Sequence, residues 1–139
     1  MNKVFLDASF AIALSNLNDQ YHKSAEILAE QLELNGTHLI TTQAIILEIG
    51  NALAKLKYRK DAIKLLDSLE NDPNIEIVLF SDGLYKRAVK LYKERIDKEW
   101  GLTDCLSFIV MQDYGISKAL TTDKHFEQAG FQALLRENL

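Results

Sequence analysis

The chain has little of what would tie it covalently or break it up: one cysteine and one proline in 139 residues. A lone Cys105 excludes an internal disulfide, and its setting in Leu106-Ser107-Phe108-Ile109-Val110-Met111 reads as a buried, inert thiol, which fits a reducing cytoplasm. No apolar run approaches the roughly 18 residues needed to span a bilayer, and no basic stretch, apolar core and small-residue cleavage site open the chain. Neither export nor membrane insertion is expected. There is no Gly-x-x-x-x-Gly-Lys loop and no Gly-x-Gly-x-x-Gly, so a bound nucleotide cofactor is not expected either. Internal repeats, low-complexity tracts and linkers are also lacking.

What remains is 47% hydrophobic, enough for a well-packed core, and residues 1–139 are expected to form a single domain. With 16 basic against 20 acidic residues the net charge is -4, which by itself argues mildly against a polyanionic partner. The distribution argues otherwise. Lys55, Lys57, Arg59, Lys60 and Lys64 form one basic cluster, and Lys86, Arg87, Lys90, Lys93, Arg95 and Lys98 form a second. Lysines at such spacing commonly serve solubility, yet they also permit a phosphate backbone as partner.

The organising stretch is Lys3-Val4-Phe5-Leu6-Asp7-Ala8-Ser9, a short β-branched and aromatic run that passes into an Ala/Ile/Leu-rich helical pattern. Asp7 therefore stands at a strand's carboxyl end. Helical spacing then predicts helices to about Leu14, over Tyr21 to Leu34, from a Thr42 cap to about Leu56, over Arg59 to Glu70, from a Ser81 cap to about Ile96, from a Thr103 cap to Tyr114, and over Lys124 to Ala129. Strands are expected at His38 to Thr41, Ile75 to Phe80, Lys118 to Thr121 and Phe131 to Leu134, with Arg136 to Leu139 frayed. Alternation without a tight hairpin signal implies parallel pairing, hence a three-layer α/β/α domain on a mostly parallel five-stranded sheet.

Four acids draw attention. Glu48 falls on or beside an apolar helical stripe, where an unpaired charge is costly, and Ala44 and Ala52 one turn away would leave room for a ligand. Asp104 opens the most apolar helix, and Asp123 follows the fourth strand. Each has an ordinary explanation: Glu48 can reach water from the stripe's edge, Asp104 can answer the helix dipole, and Asp7 and Asp123 can cap helices. What these explanations omit is that all four belong to segments starting at a strand's carboxyl end, the edge where open α/β sheets bind ligands. Clustered carboxylates persist only with shared protons or a cation, and hard oxygen donors select Mg²⁺ or Mn²⁺ over Zn²⁺. Of His22, His38 and His125, none has zinc-ligand spacing, and only His125 stands near such a site. A metal that meets phosphate oxygens points to phosphoryl transfer. Since Asp7-Ala8-Ser9 lacks a second Asp at position 9, an aspartyl phosphatase is disfavoured.

Val4-Phe5-Leu6-Asp7-Ala8-Ser9, then Ile45-Ile46-Leu47-Glu48-Ile49-Gly50-Asn51-Ala52-Leu53, Leu102-Thr103-Asp104-Cys105-Leu106-Ser107, and Ala119-Leu120-Thr121-Thr122-Asp123-Lys124-His125-Phe126 with Ala129-Gly130-Phe131 together resemble the PIN-domain nucleases, in order and over essentially the whole chain. The size is similar to that of the toxin subunits of VapBC toxin-antitoxin pairs. The resemblance implies a metal-dependent endoribonuclease in which Asp7, Glu48, Asp104 and Asp123 hold one or two Mg²⁺ or Mn²⁺ ions. By the same implication Ser9 and Thr121 support the site by hydrogen bonding, Asn51 lines it, and the partners are RNA, a second copy in a homodimer and a small antitoxin protein. Lys55, Lys57 and Lys60 are the candidates for gripping the RNA backbone. Two rivals stand beside this reading. A phospho-acceptor receiver would also use an Asp with Mg²⁺ but carries an acidic doublet and a late Lys-Pro pair, whereas the only proline here is Pro73. A PIN-like domain could also bind RNA without cutting it.

Overall fold

The computed structural model describes residues 2–137. Strand β1 (Lys3–Leu6) leads into α1 (Ala8–Ser15) and α2 (His22–Leu34), and β2 (His38–Thr42) into α3 (Gln43–Ala52) and α4 (Leu56–Asn71). Strand β3 (Ile75–Val78) is followed by α5 (Asp82–Glu94) and α6 (Leu102–Tyr114), β4 (Lys118–Leu120) by α7 (Lys124–Gln128), and β5 (Gln132–Ala133) by a single 3₁₀ turn at Leu134–Arg136. All pairings are parallel, in the order β3-β2-β1-β4-β5, with Lys3 beside His38 and Leu6 beside Leu120.

This order decides where a site can lie. The chain adds β2 and β3 on one side of β1, then returns to place β4 and β5 on the other. With right-handed crossovers that reversal sends α1 to α4 to one face and α5 to α7 to the opposite one. In agreement, α1 packs on α2, α3 and α4, while α6 packs on α5 and α7. The connections part between β1 and β4, and the crevice beyond their carboxyl ends is the natural binding position in such a sheet. Receivers place β1 between β2 and β3. Here β1 lies between β2 and β4, which removes the receiver alternative.

The core follows the apolar pattern. Phe5, Leu6, Ile45, Ile49, Phe108, Met111, Leu120 and Phe126 are all essentially inaccessible to water. Phe108 on α6 is the hub: its ring meets the edges of Trp100 and Phe126, each with centroids 5.0 Å away, and lies 5.6 Å from Phe131. Cys105 is fully buried, as expected of an inert thiol.

Element boundaries depart from the sequence pattern in several places, among them the start of α4 at Leu56 instead of Arg59. Helix α3 stops at Ala52 instead of near Leu56, because the buried stripe Ile45, Ile49, Leu53 ends there, and the Arg59 guanidinium takes the Ala54 carbonyl at 2.7 Å while Leu56 turns out to solvent. Helix α6 is capped from Gly101 instead of Thr103, since the Asp104 carboxylate accepts the Gly101 N–H at 3.0 Å. The strands expected to reach Phe80 and to span Phe131 to Leu134 are shorter, the latter reduced to Gln132–Ala133. Arg136 and Glu137, expected to be frayed, are held, Arg136 by Glu127 at 2.7 Å and Glu137 by the Gln132 amide; the rest of that expectation, at Asn138 and Leu139, lies outside the described residues.

Candidate metal centre

Asp7 is the first residue past β1 and the N-cap of α1, yet its side chain caps nothing. It is buried, and the next strand explains why: the Asp7 N–H donates to the Leu120 carbonyl at 3.2 Å, drawing the residue between β1 and β4. There Oδ2 accepts two hydroxyls, from Ser9 at 2.9 Å and from Thr121 at 2.7 Å. Both hydroxyls are themselves fixed by backbone amides, Thr122 N–H donating to Ser9 Oγ and Asp123 N–H to Thr121 Oγ1, each at 3.0 Å. Burial pushes the Asp7 pKa up from its ordinary value, the Thr121, Ser9 and Ala8 hydrogen bonds pull against it, and the Asp104 charge adds to the rise.

Asp104 arrives from the opposite helical layer, in the first turn of α6. Its Oδ2 takes the Gly101 N–H and lies 3.1 Å from His125 Nδ1. The carboxyl is pushed upward, by burial first; the Gly101 bond and His125 oppose the rise and Asp123 reinforces it. Asp123 caps α7 through the His125 N–H at 2.9 Å, and its Oδ1 is also 3.3 Å from His125 Nδ1. One donor atom each from Asp104, Asp123 and His125 falls within 4.8 Å of the others. The two ordinary explanations for these aspartates therefore hold as well: one answers its helix start and the other caps its helix.

Glu48 is placed differently from expectation. Ile45 and Ile49 take the buried stripe of α3, and Glu48, rotated away from it, is an exposed residue. Its carboxyl still belongs to the same electrostatic group. The Glu48 pKa is pushed up to about 7, by partial burial of the carboxyl first and then by the charges of Asp7, Asp104 and Asp123 in that order. Asn51 is exposed at the end of α3, and among the described residues its side chain makes no hydrogen bond to the cluster.

The donor set fits a divalent cation. Two like charges within 4.8 Å repel by roughly 3 kcal/mol or more at an effective dielectric near 20. No lysine or arginine pairs with any of the four acids among the described residues. Three carboxyls are lifted above their ordinary values by burial first, with the neighbouring acids adding to the rise, and carboxylate oxygens with one imidazole suit a hard to intermediate metal.

The sequence puts His125 near the site without counting it among the ligands, because it lacks zinc-type spacing; its position two residues after Asp123, in the same capping turn, is the signal that could have found it.

The basic clusters separate in part, since Lys90 and Lys93 of the second have no carboxylate within pairing distance among the described residues. In the second, Lys86 pairs with Asp82, Arg87 with Asp113 through two bonds, and Arg95 and Lys98 both with Asp97. In the first, Lys55, Lys57, Lys60 and Lys64 have no carboxylate within pairing distance among the described residues. Helix α4 ends three residues before β3 starts at the sheet's amino edge, and its 16 residues rise about 24 Å.

Comparison with known proteins gives the following. The family model described as PIN domain matches residues 4–132. The chain is similar to the crystal structure of VapC20 of Mycobacterium tuberculosis, described as a sarcin-ricin loop cleaving toxin, with 23% identity, 92% of this chain and 95% of that one covered, and a TM-score of 0.80. VapBC2 from Rickettsia felis, bound to a DNA fragment from its promoter, gives 16% identity, coverages of 94% and 96%, and a TM-score of 0.67. FitAcB from Neisseria gonorrhoeae gives 16% identity, 94% coverage of each chain and a TM-score of 0.66. A search of curated protein sequences finds no match.

Proposed function

The chain belongs to the PIN-domain family, and from that premise we propose that it is a metal-dependent endoribonuclease, hydrolysing RNA phosphodiesters with Asp7, Glu48, Asp104 and Asp123 as the working acids and acting as the toxin of a toxin-antitoxin pair. The observation that carries the reading is Glu48: its carboxyl is raised to about 7 by partial burial first and then by the charges of Asp7, Asp104 and Asp123. Such a group is the mark of a place built for a cation. Similarity to a toxin described as sarcin-ricin loop cleaving, and to chains of VapBC2 and FitAcB, supports RNA as substrate and a small antitoxin as partner.

The residues divide the work. Ser9 and Thr121 fix the buried Asp7 carboxylate in one orientation, and Gly101 and His125 do the same for Asp104. A bound Mg²⁺ or Mn²⁺, held by these carboxylates, would polarise the scissile phosphate and neutralise charge developing on it. Glu48, with its pKa near 7, can take up or release a proton at its carboxyl close to neutral pH. Lys55, Lys57 and Lys60 would hold the RNA backbone, and nothing in the site requires a covalent nucleophile. A homodimer and a cytoplasmic location complete the proposal; no helix among the described residues is long and apolar enough to cross a membrane.

The test is incubation of the purified protein with structured and unstructured RNA in Mn²⁺, Mg²⁺ or chelator, beside Asp7→Asn and Asp104→Asn variants. Strand scission is expected only with metal and only in the unsubstituted protein. Equal cutting in chelator, or a fully active Asp104→Asn protein, would overturn the reading. RNA bound with metal but left uncut would convert it to the non-cleaving alternative.

A further inference from the structure

His125 occupies a position that none of the acidic motifs requires. Its Nδ1 lies 3.1 Å from Asp104 Oδ2 and 3.3 Å from Asp123 Oδ1. The backbone sets this up, because Asp123 accepts the His125 N–H at 2.9 Å and the two side chains leave the same capping turn. The neighbouring Phe126 pins that turn: its fully buried ring sits 5.0 Å from Phe108 and 6.2 Å from Phe5. The imidazole, 23% exposed, is thus held at the rim of the cluster instead of sweeping through solvent. Separations near 3 Å are also those between donors on adjacent corners of an octahedron with bonds of about 2.1 Å.

The geometry points to His125 as a nitrogen donor that sets metal preference, making the centre favour Mn²⁺ over Mg²⁺; this rests on the reading that the cluster holds a divalent ion. An all-oxygen set suits Mg²⁺, and exchanging one oxygen for an imidazole nitrogen moves the preference toward first-row transition metals. Nδ1 offers either an N–H to a carboxylate or a lone pair to a metal. Ligation through Nδ1 needs the lone pair of that nitrogen, whereas a hydrogen bond donated to Asp104 needs an N–H there.

His125→Asn separates nitrogen ligation from positioning, since an asparagine amide near the place of Nδ1 keeps a hydrogen-bond donor for Asp104 and offers a metal no nitrogen. Mn²⁺ affinity is measured without RNA from the loss of the free-ion electron paramagnetic resonance signal, and Mg²⁺ affinity by competition. The ratio of Mn²⁺ to Mg²⁺ affinity is expected to fall about tenfold in His125→Asn. Pulsed spectra of the Mn²⁺-loaded wild-type protein should show coupling to a ¹⁴N nucleus that the variant lacks, which also discounts His22 and His38. An unchanged ratio, or Mn²⁺ bound without nitrogen coupling, would overturn the inference and leave the nuclease reading untouched. Failure to bind any divalent ion would remove both. Nitrogen coupling in a protein that cuts no RNA would support the inference and refute the nuclease.

Discussion

The Thr121 hydroxyl donates to Asp7 Oδ2 at 2.7 Å across 114 residues of sequence, with Asp123 N–H held on the same oxygen of Thr121 at 3.0 Å. One side chain thus ties the acid after β1 to the acid after β4. Thr121→Val keeps the shape and removes the bond. A hydrogen bond to a charged group is worth about 1.5–3 kcal/mol, so the variant should unfold at lower urea concentration, with a larger deficit at pH 8 than at pH 5, where Asp7 is closer to neutral. A variant as stable as wild type at pH 8 would show that Asp7 does not depend on this hydroxyl.

The metal-free protein should lose stability as pH rises. Glu48, Asp7 and Asp104 all have folded-state pKa values above their ordinary ones, so the folded chain holds more protons than the unfolded chain in that range. Their contribution is fully present below the ordinary carboxyl values and is lost as pH passes through the raised ones, for Glu48 between 4.5 and about 7. In chelator, the melting temperature should decline from about pH 5 to pH 8, and Mn²⁺ should restore it at the upper end. Asp7→Asn, with one charge fewer, should melt roughly 3 °C or more above wild type in chelator at pH 7 and gain less from Mn²⁺. A flat profile in chelator would mean that the acids are not in mutual conflict.

Metal binding should release a proton that can be counted. With a pKa near 7, Glu48 is about half protonated at neutral pH, and a dication beside it favours the carboxylate. Calorimetric titration with Mn²⁺ at pH 7 in buffers of different ionisation enthalpy should report roughly half a proton more for wild type than for Glu48→Gln. Equal release from both proteins would place Glu48 outside the field of the metal.

Charge replacement should distinguish the two basic clusters by their salt dependence. For a single strand, each phosphate that the protein no longer neutralises flattens the slope of log affinity against log salt by about 0.7. Ala replacements at Lys55, Lys57 and Lys60 should each have that effect. Ala at Arg87, which is engaged with Asp113, should leave the slope unchanged. The reverse pattern would assign the first cluster to solubility.

Much of this architecture is legible in the chain, because short apolar strands and spaced apolar helices leave separate marks. Asp7 at a strand's end and Asp123 after another can be read directly. The limits are local. The boundary between α3 and α4 is misplaced because Leu53 and Leu56 look alike in sequence, yet one packs inward and the other is almost wholly exposed. The pattern puts Glu48 beside the buried stripe, but a one-residue rotation from Ile49 brings it to water. Apolar periodicity fixes which residues face the core only to within about one helical position. The place of His125 beside Asp123 is legible, but its contact with Asp104, 21 residues earlier and on another helix, is not.

The reversal of strand order also sets a schedule. A chain growing from its amino end has Asp7 once β1 is made and Glu48 once α3 is made, but β3, α5 and α6 must follow before Thr121 and Asp123 exist. Until β4 lies beside β1, the Asp7 carboxylate has only Ser9 of its two hydroxyl donors, and the acids do not share a rim. Completion of the centre and the docking of β4 beside β1 are one event. A shortened chain ending before β4 would carry three of the four acids and no assembled site.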